Sequence, residues 1–256
     1  LLDKELKKNK VEFIPVDSEH FSIWYSIKNL PYNKINKIYL TASGGPLLKI
    51  PKNKFDHLKI SKIIKHPNWN MGKKISVDSA TMMNKVFEIL EAKKIFFIHL
   101  NKIKILIHPK SYIHSIVKFD DGMIKIIAHE TTMKIPIFNS IYDINEKKLS
   151  SKKIDIKILN NLNLMNIDSN KFPIIKILNR IPDKNSLFET IIVSANDALV
   201  NLFLKKEIKF SNISKNLLKL LKKKEFVKFK RIIPKNINEI IKISDYVRSK
   251  INSKSI

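Results

Sequence analysis

The chain has 256 residues, 44% of them hydrophobic, so it can bury a core and hold one large domain or two modest ones. It has no cysteine, which excludes disulfides, thiolate metal sites and a cysteine nucleophile and fits a reducing compartment. The formal charge of +26, from 49 basic and 23 acidic residues, suits phosphate, in nucleic acid or in a phosphorylated small molecule, but the lysines run along the whole chain, as in any Lys-, Ile- and Asn-rich composition.

Residues 1–10 read as a charged helix and not as a signal peptide. VEFIPVDSEH (11–20) reads as a strand ending in a polar cluster. On an extended chain Asp17 and Glu19 project to one side, as carboxylates around a hard cation would, although surface carboxylates often share this spacing. FSIWYSIKNL (21–30) is helical, and IYLTA is a strand that runs into Ser43-Gly44-Gly45-Pro46. That turn exposes N–H groups and a hydroxyl, which fits an anion or a plain turn. Residues 51–65 read as a connecting helix.

The densest stretch is HPNWNMGKKISVDSATMMNKVFEILE (66–91). Its loop has a hinge at Gly72, and KKISVDS then alternates like a short strand. Asp78 or Ser79 can cap a helix running from Ala80 to Phe97, with Met83, Val86, Phe87, Leu90 and Ile95 as its apolar face and Glu88 and Glu91 sharing one side. Residues 101–130 read as strands, with a hairpin at Asp121-Gly122. A loop and a short helix follow over 131–143.

Residues 143–170 are polar, with one weak strand near KIDIKIL. From 172 onward the pattern is helical, and LLKLLKKKEFVKFKR keeps apolar spacing under its lysines. No apolar run approaches the length that crosses a bilayer. With four glycines there is no GxGxxG and no GxxxxGK[ST], so no dinucleotide or P-loop cradle is present. The fold class is α+β: a mixed β-sheet domain with flanking helices, joined by a linker to a C-terminal helical bundle. The expected boundaries are 1–142 for the catalytic domain, 143–168 for the linker and 169–256 for the bundle.

VDSEH, SGGP, HPNWNMGKKISVDSATMMNK with Glu88 behind it, and LIHPKSYIHS occur in that order and resemble the 1-deoxy-D-xylulose 5-phosphate reductoisomerase family. IIVSANDALVNLFL resembles, more weakly, that family's Asn-Ala-Ala-Asn-Glu helix. The resemblance implies conversion of 1-deoxy-D-xylulose 5-phosphate to 2-C-methyl-D-erythritol 4-phosphate with NADPH and Mg²⁺ or Mn²⁺. It makes Asp17, Glu19 and Glu88 the metal ligands and assigns the chemistry to Lys85, Glu19 and Glu88. Ser18, Lys85 and Ser111 fall beside the substrate, and Ser43, His66, Ser79 and Asn84 at its phosphate end. Ser79, read as lying near a helix N-terminus, suits that anion. Trp69 and Met71 match a mobile flap, Gly72 and Met133 fall on the cofactor side, and His20, Glu91, His108 and His114 support the first ligands.

The resemblance further implies a homodimer in a bacterial cytoplasm, with no nucleic acid or membrane as partner. Residues 1–16 then read as a remnant of the family's NADPH-binding domain, whose GxTGxxG turn is absent. Ala42 and Val86 stand where the family has glycine, and His129-Glu130-Thr131-Thr132-Met133 replaces Gly-Glu-Pro-Asp-Met. The alternatives are a non-catalytic remnant that binds metal and sugar phosphate, and a basic nucleic-acid-binding protein. The latter predicts aromatics interleaved with lysines on one face.

Overall fold

The computed structural model describes residues 2–28, 30, 34–142 and 147–253. The chain forms two compact units, Leu1–Ser43 with Glu91–Ile167, and Gly44–Leu90 with Asp168–Ile256. Mixed sheet and abundant helix together make the chain α+β, as the residue pattern predicts.

The first unit is built on a five-stranded sheet in the order β4-β3-β1-β2-β5. Its strands are β1 (Ile35–Ala42), β2 (Ile103–Ile107), β3 (Ile113–Phe119), β4 (Ile124–Ala128) and β5 (Met165–Asn166). β1 lies parallel to β2, with Leu40 opposite Ile105, and the other pairings are antiparallel. The central strands β1 and β3 are mostly buried, whereas the edge strand β4 exposes Ile124 and Ile126. The β3–β4 turn closes at Gly122, whose φ of 89° suits a residue without Cβ. Helix α1 (Leu2–Asn9) precedes α2 (Ser18–Ile27), which packs on β3 and β4 through Phe21, Ile23, Trp24 and Ile27. The buried hydroxyls of Ser22 and Ser26 donate to the carbonyls one turn earlier, Ser18 and Ser22, at 2.7 and 2.8 Å.

The second unit is helical. After a 3-10 turn (Lys52–His57) and α3 (Ile60–Ile63) come α4 (Lys73–Thr81) and α5 (Met83–Ile95), the latter crossing the boundary between units at residue 90. α6 (Lys134–Ile141) and α7 (Ile156–Asn160) belong to the first unit. α8 (Leu187–Leu204), α9 (Phe210–Leu220), α10 (Lys224–Val227) and α11 (Ile237–Asn252) complete the second, with α8 packed against α4, α9 and α11.

Several local expectations are corrected. Residues 11–16 form no strand, because Asp17 caps α2: its Oδ1 accepts from the N–H of Glu19 and of His20 at 3.2 and 3.5 Å. KKISVDS is helical, not extended, so Asp78 and Ser79 lie inside α4 and cap nothing. The break falls at Met82, left-handed at φ 69°, and the Thr81 hydroxyl accepts from the Met83 N–H at 3.2 Å. KIDIKIL is helix α7, started by the Asp155 side chain. Residues 143–146, where the linker is expected to begin, lie outside the described residues. Finally, α8 is long and apolar enough to cross a membrane, contrary to the reading of the sequence, but 72% of it is buried, as in a core helix.

Candidate active site

In the first unit the candidate groups gather at the start of α2. Ser18, 4% exposed, donates its hydroxyl to Glu19 Oε2. Asp17 and Glu19 therefore share one helical turn instead of one face of a strand. His20 is buried behind them, its Nδ1 3.3 Å from Asp17 Oδ1 and 3.5 Å from Glu91 Oε2. The Glu91 side chain is 58% exposed, but the protein crowding its carboxyl displaces enough water to raise it above its ordinary value; His20 opposes that shift and the negative charge of Asp17 adds to it.

Two more histidines stack nearby on β3 and just beyond β4. The rings of His114 and His129 lie 3.7 Å apart and 13° from parallel. His129 Nδ1 faces the Glu130 carbonyl at 2.7 Å, while its Nε2 is buried with no partner. Burial lowers the His129 pKa against the pull of that carbonyl and of the charges of Glu19 and Glu130. A neutral, stacked His129 supports its neighbours better than it serves as a cation. Past β2, His108 is fully buried, its Nδ1 paired with the Leu162 carbonyl, and burial lowers its pKa too. Ser111 is buried at φ 51°, turned by its N–H to the His108 carbonyl at 2.9 Å. Ser43, just past β1, and Met133, at the start of α6, are half-buried.

In the second unit Gly45 of the glycine pair 44–45 meets α4. A Cβ on Gly45 would lie 2.8 Å from the Ser79 carbonyl oxygen, and its φ of 63° is left-handed. Two motifs assigned to the phosphate end thus touch. Ser79 sits in the last turn of α4, so the expected argument from a helix N-terminus does not apply to it; the carbonyl end carries the opposite partial charge. His66 Nδ1 accepts from the N–H of Asn68 and of Trp69 at 3.2 and 2.9 Å, which shapes the loop carrying Trp69 and Met71. Burial lowers His66 to about 4, so it is neutral near pH 7. Gly72 begins α4 in open space, with nothing within 4 Å of a built Cβ.

On α5, Lys85 and Glu88 are each 4% exposed and form an ion pair, while Asn84 Nδ2 donates to the other Glu88 oxygen at 2.6 Å. Spacings of three and four residues put all three on one helical stripe. Glu88 and Glu91 differ in setting: Glu88 is buried and Glu91 exposed. One buried network escaped the sequence reading. Asp78, 1% exposed, accepts from Asn196 Nδ2 at 2.7 Å and pairs with Lys74 at 2.8 Å, fixing α4 against α8. The available signal was Ser-Ala-Asn-Asp, a polar run inside the apolar α8.

A family model described as the 1-deoxy-D-xylulose 5-phosphate reductoisomerase C-terminal domain matches residues 13–96. One described as the DXP reductoisomerase C-terminal domain matches residues 129–250. The 1-deoxy-D-xylulose 5-phosphate reductoisomerase of Pelagibacter ubique is 58% identical over all 256 residues, which span 66% of its length. The enzyme of the same name from a Sulfurihydrogenibium species is 37% identical over 91% of this chain and 64% of its own. The chain thus spans just under two thirds of these relatives. Among solved structures, a DOX-P reductoisomerase in complex with NADPH, fosmidomycin and magnesium matches at a TM-score of 0.89 and 28% identity, over 99% of this chain and 66% of that one. The Zymomonas mobilis enzyme in complex with NADPH matches at 0.83 and 27%, over 96% and 62%.

Proposed function

Because the chain belongs to the 1-deoxy-D-xylulose 5-phosphate reductoisomerase family, we propose that it supplies the metal- and sugar-phosphate-binding part of such an enzyme. The reaction is conversion of 1-deoxy-D-xylulose 5-phosphate to 2-C-methyl-D-erythritol 4-phosphate. Asp17, Glu19 and Glu88 are hard oxygen donors of the kind Mg²⁺ and Mn²⁺ take, so the donor set fits a divalent cation. When bound, that cation supplies Lewis-acid polarisation of the substrate carbonyl. The observation that carries the reading is Glu88, buried as an anion between Lys85 and Asn84 on α5. A buried, preorganised carboxylate suits holding a divalent cation, and the ammonium group beside it suits chemistry in which negative charge develops on substrate oxygens.

The chain's own groups divide the remaining work. Ser18, Ser111 and Lys85 position the substrate carbons. Ser43, Ser79 and Asn84 donate to the phosphate, joined by neutral His66 through the ring nitrogen that does not face the loop N–H groups. Trp69 and Met71 cover the site and keep water out. For NADPH, neither GxGxxG nor GxxxxGK[ST] occurs among the 256 residues, so Gly72 and Met133 are proposed as cofactor-side contacts and not as a cradle for the dinucleotide phosphates. We assign the hydride-supplying half to the third of the relatives' length that this chain does not span. A cytoplasmic homodimer is part of the proposal, with the exposed Ile124 and Ile126 of edge strand β4 as support for pairing through the sheet.

The second reading, a non-catalytic remnant, draws on the departures at Ala42, Val86 and 129–133. Val86 is fully buried, so it packs the core where the family's glycine would leave space. Calorimetry with fosmidomycin, with and without Mg²⁺, tests the binding half: tight binding only with Mg²⁺ is expected, and loss of that dependence in Glu88→Gln. Metal-independent binding would sink the ligand assignment. NADPH consumption with 1-deoxy-D-xylulose 5-phosphate, on a product extended N-terminally, separates enzyme from remnant; no turnover there favours the remnant.

A further inference from the structure

The second unit contains a cavity of about 620 Å³ that the groups assigned above do not use. Its floor is aromatic. Phe55, Phe172 and Phe210 are each at least 94% buried, and the Phe55 and Phe210 rings meet edge to face at 5.8 Å and 82°. Its rim is cationic, with Lys52, Lys171 and Lys215 among the lining residues. Two of these ammonium groups are already held in place. Lys52 Nζ donates to the Asn170 carbonyl at 2.6 Å. Lys171 Nζ donates to the Leu48 carbonyl and lies 5.8 Å from the centre of the Phe172 ring. An ammonium has three N–H groups, so each keeps donors for a ligand.

The single lining carboxylate does not cancel this charge. Asp56 is committed to Ser211, accepting from its N–H at 2.8 Å and its hydroxyl at 2.6 Å. Three cations against one engaged anion leave the rim positive above an apolar floor. Ligand sites of roughly 300–1,000 Å³ combine an apolar lining with a few placed polar groups in this way.

We propose that this cavity binds a small amphipathic anion: an aromatic or branched apolar body carrying one phosphate, sulfonate or carboxylate. The body lies on the phenylalanines and the acid group meets the lysines. Ala80 and Thr81 also line the cavity, and they form the last turn of α4 before the left-handed Met82 and the Asn84–Lys85–Glu88 stripe of α5. An occupant therefore touches the helix end that leads into that stripe, which suits an effector site more than a second substrate site.

The probe is 8-anilinonaphthalene-1-sulfonate, with N-phenyl-1-naphthylamine as the same apolar body without its charge. Fluorescence titration of the folded chain at about 0.15 M salt, which screens distant charges, should give one saturable site for the sulfonate. That site should be about 10-fold tighter than for the neutral probe. The K52E/K215E double variant changes exposed residues and should weaken the sulfonate about 10-fold while leaving the neutral probe within about 2-fold. Lys62→Glu, an exposed lysine outside the cavity, should change neither. Ser214→Phe, which fills the cavity, should block both probes. Equal affinity for the two probes, equal loss in K62E, or undiminished sulfonate binding in K52E/K215E each overturns the proposal. If circular dichroism shows Ser214→Phe to be misfolded, the lysine variants alone decide.

Discussion

Replacing Lys85 by methionine removes one charge of a buried pair and keeps the apolar stem. Lys85 and Glu88 are each 4% exposed, so the variant leaves a carboxylate away from water, with the Asn84 amide as a weak substitute for an ammonium. Breaking such a pair from one side costs about 3–5 kcal/mol. In a chain of this size each kcal/mol lowers the melting temperature by about 2–4 °C, so a fall of roughly 6–20 °C is expected by circular dichroism. The double variant K85M/E88Q removes both charges and should recover most of that loss, because an uncharged buried pair of similar volume is often nearly neutral. Adding Mg²⁺ should raise the K85M melting temperature more than the parent's, since the uncompensated carboxylate gains most from a cation. A K85M melt within about 2 °C of the parent, or a double variant showing the sum of the single losses, refutes the argument that the pair is buried and mutually compensating.

Other consequences can be checked singly. The His66 ring protons should titrate near pH 4 by NMR instead of near 6.5, because burial disfavours the imidazolium. That depressed value favours the folded state above about pH 6.5, and the gain is lost as pH falls toward 4. Asp78 has the opposite sign. Burial, only partly offset by Lys74 and Asn196, raises its carboxyl above the ordinary 3.8, so its contribution to stability falls as pH rises past that value. Asp78→Asn should therefore gain on the parent in melts taken from pH 3 to 7, and a variant that loses ground over that range contradicts the assignment. Gly45→Ala puts a Cβ 2.8 Å from the Ser79 carbonyl oxygen at φ 63°, and urea unfolding should show a loss of about 1–3 kcal/mol.

The sheet was readable because β1, β2 and β3 are apolar runs bounded by turn residues and β3–β4 carries Asp-Gly. Two passages were misread for opposite reasons. In VEFIPVDSEH the β-branched residues look like a strand, but Asp17 caps the helix that begins at the next residue. In KKISVDS the alternation of Ile75 and Val77 suggests a strand with Ser76 and Asp78 facing solvent. The structure buries Ser76 and Asp78 and leaves Ile75 39% exposed. Asp78 can be buried because Asn196, 118 residues away, satisfies it, and no local pattern announces so distant a partner. The residue types of the site were legible from order and spacing along the chain. The different settings of Glu88 and Glu91 were not, since periodicity puts both on one side of α5 and only packing separates them.

The parallel pairing of β1 with β2 has a kinetic consequence. Roughly 60 residues separate the end of one strand from the start of its neighbour, and closing such a loop costs about 3–4 kcal/mol of chain entropy. The β3–β4 hairpin needs only the short turn at Gly122 and can form in about 1–10 μs. During folding, β1 therefore waits with an unpaired edge while its apolar Ile38, Leu40 and Ala42, all buried in the folded state, remain uncovered. An open apolar edge recruits other chains. Refolding yield should drop with protein concentration well before the folded state loses stability, and segment 44–90 between the two strands sets how long that window stays open.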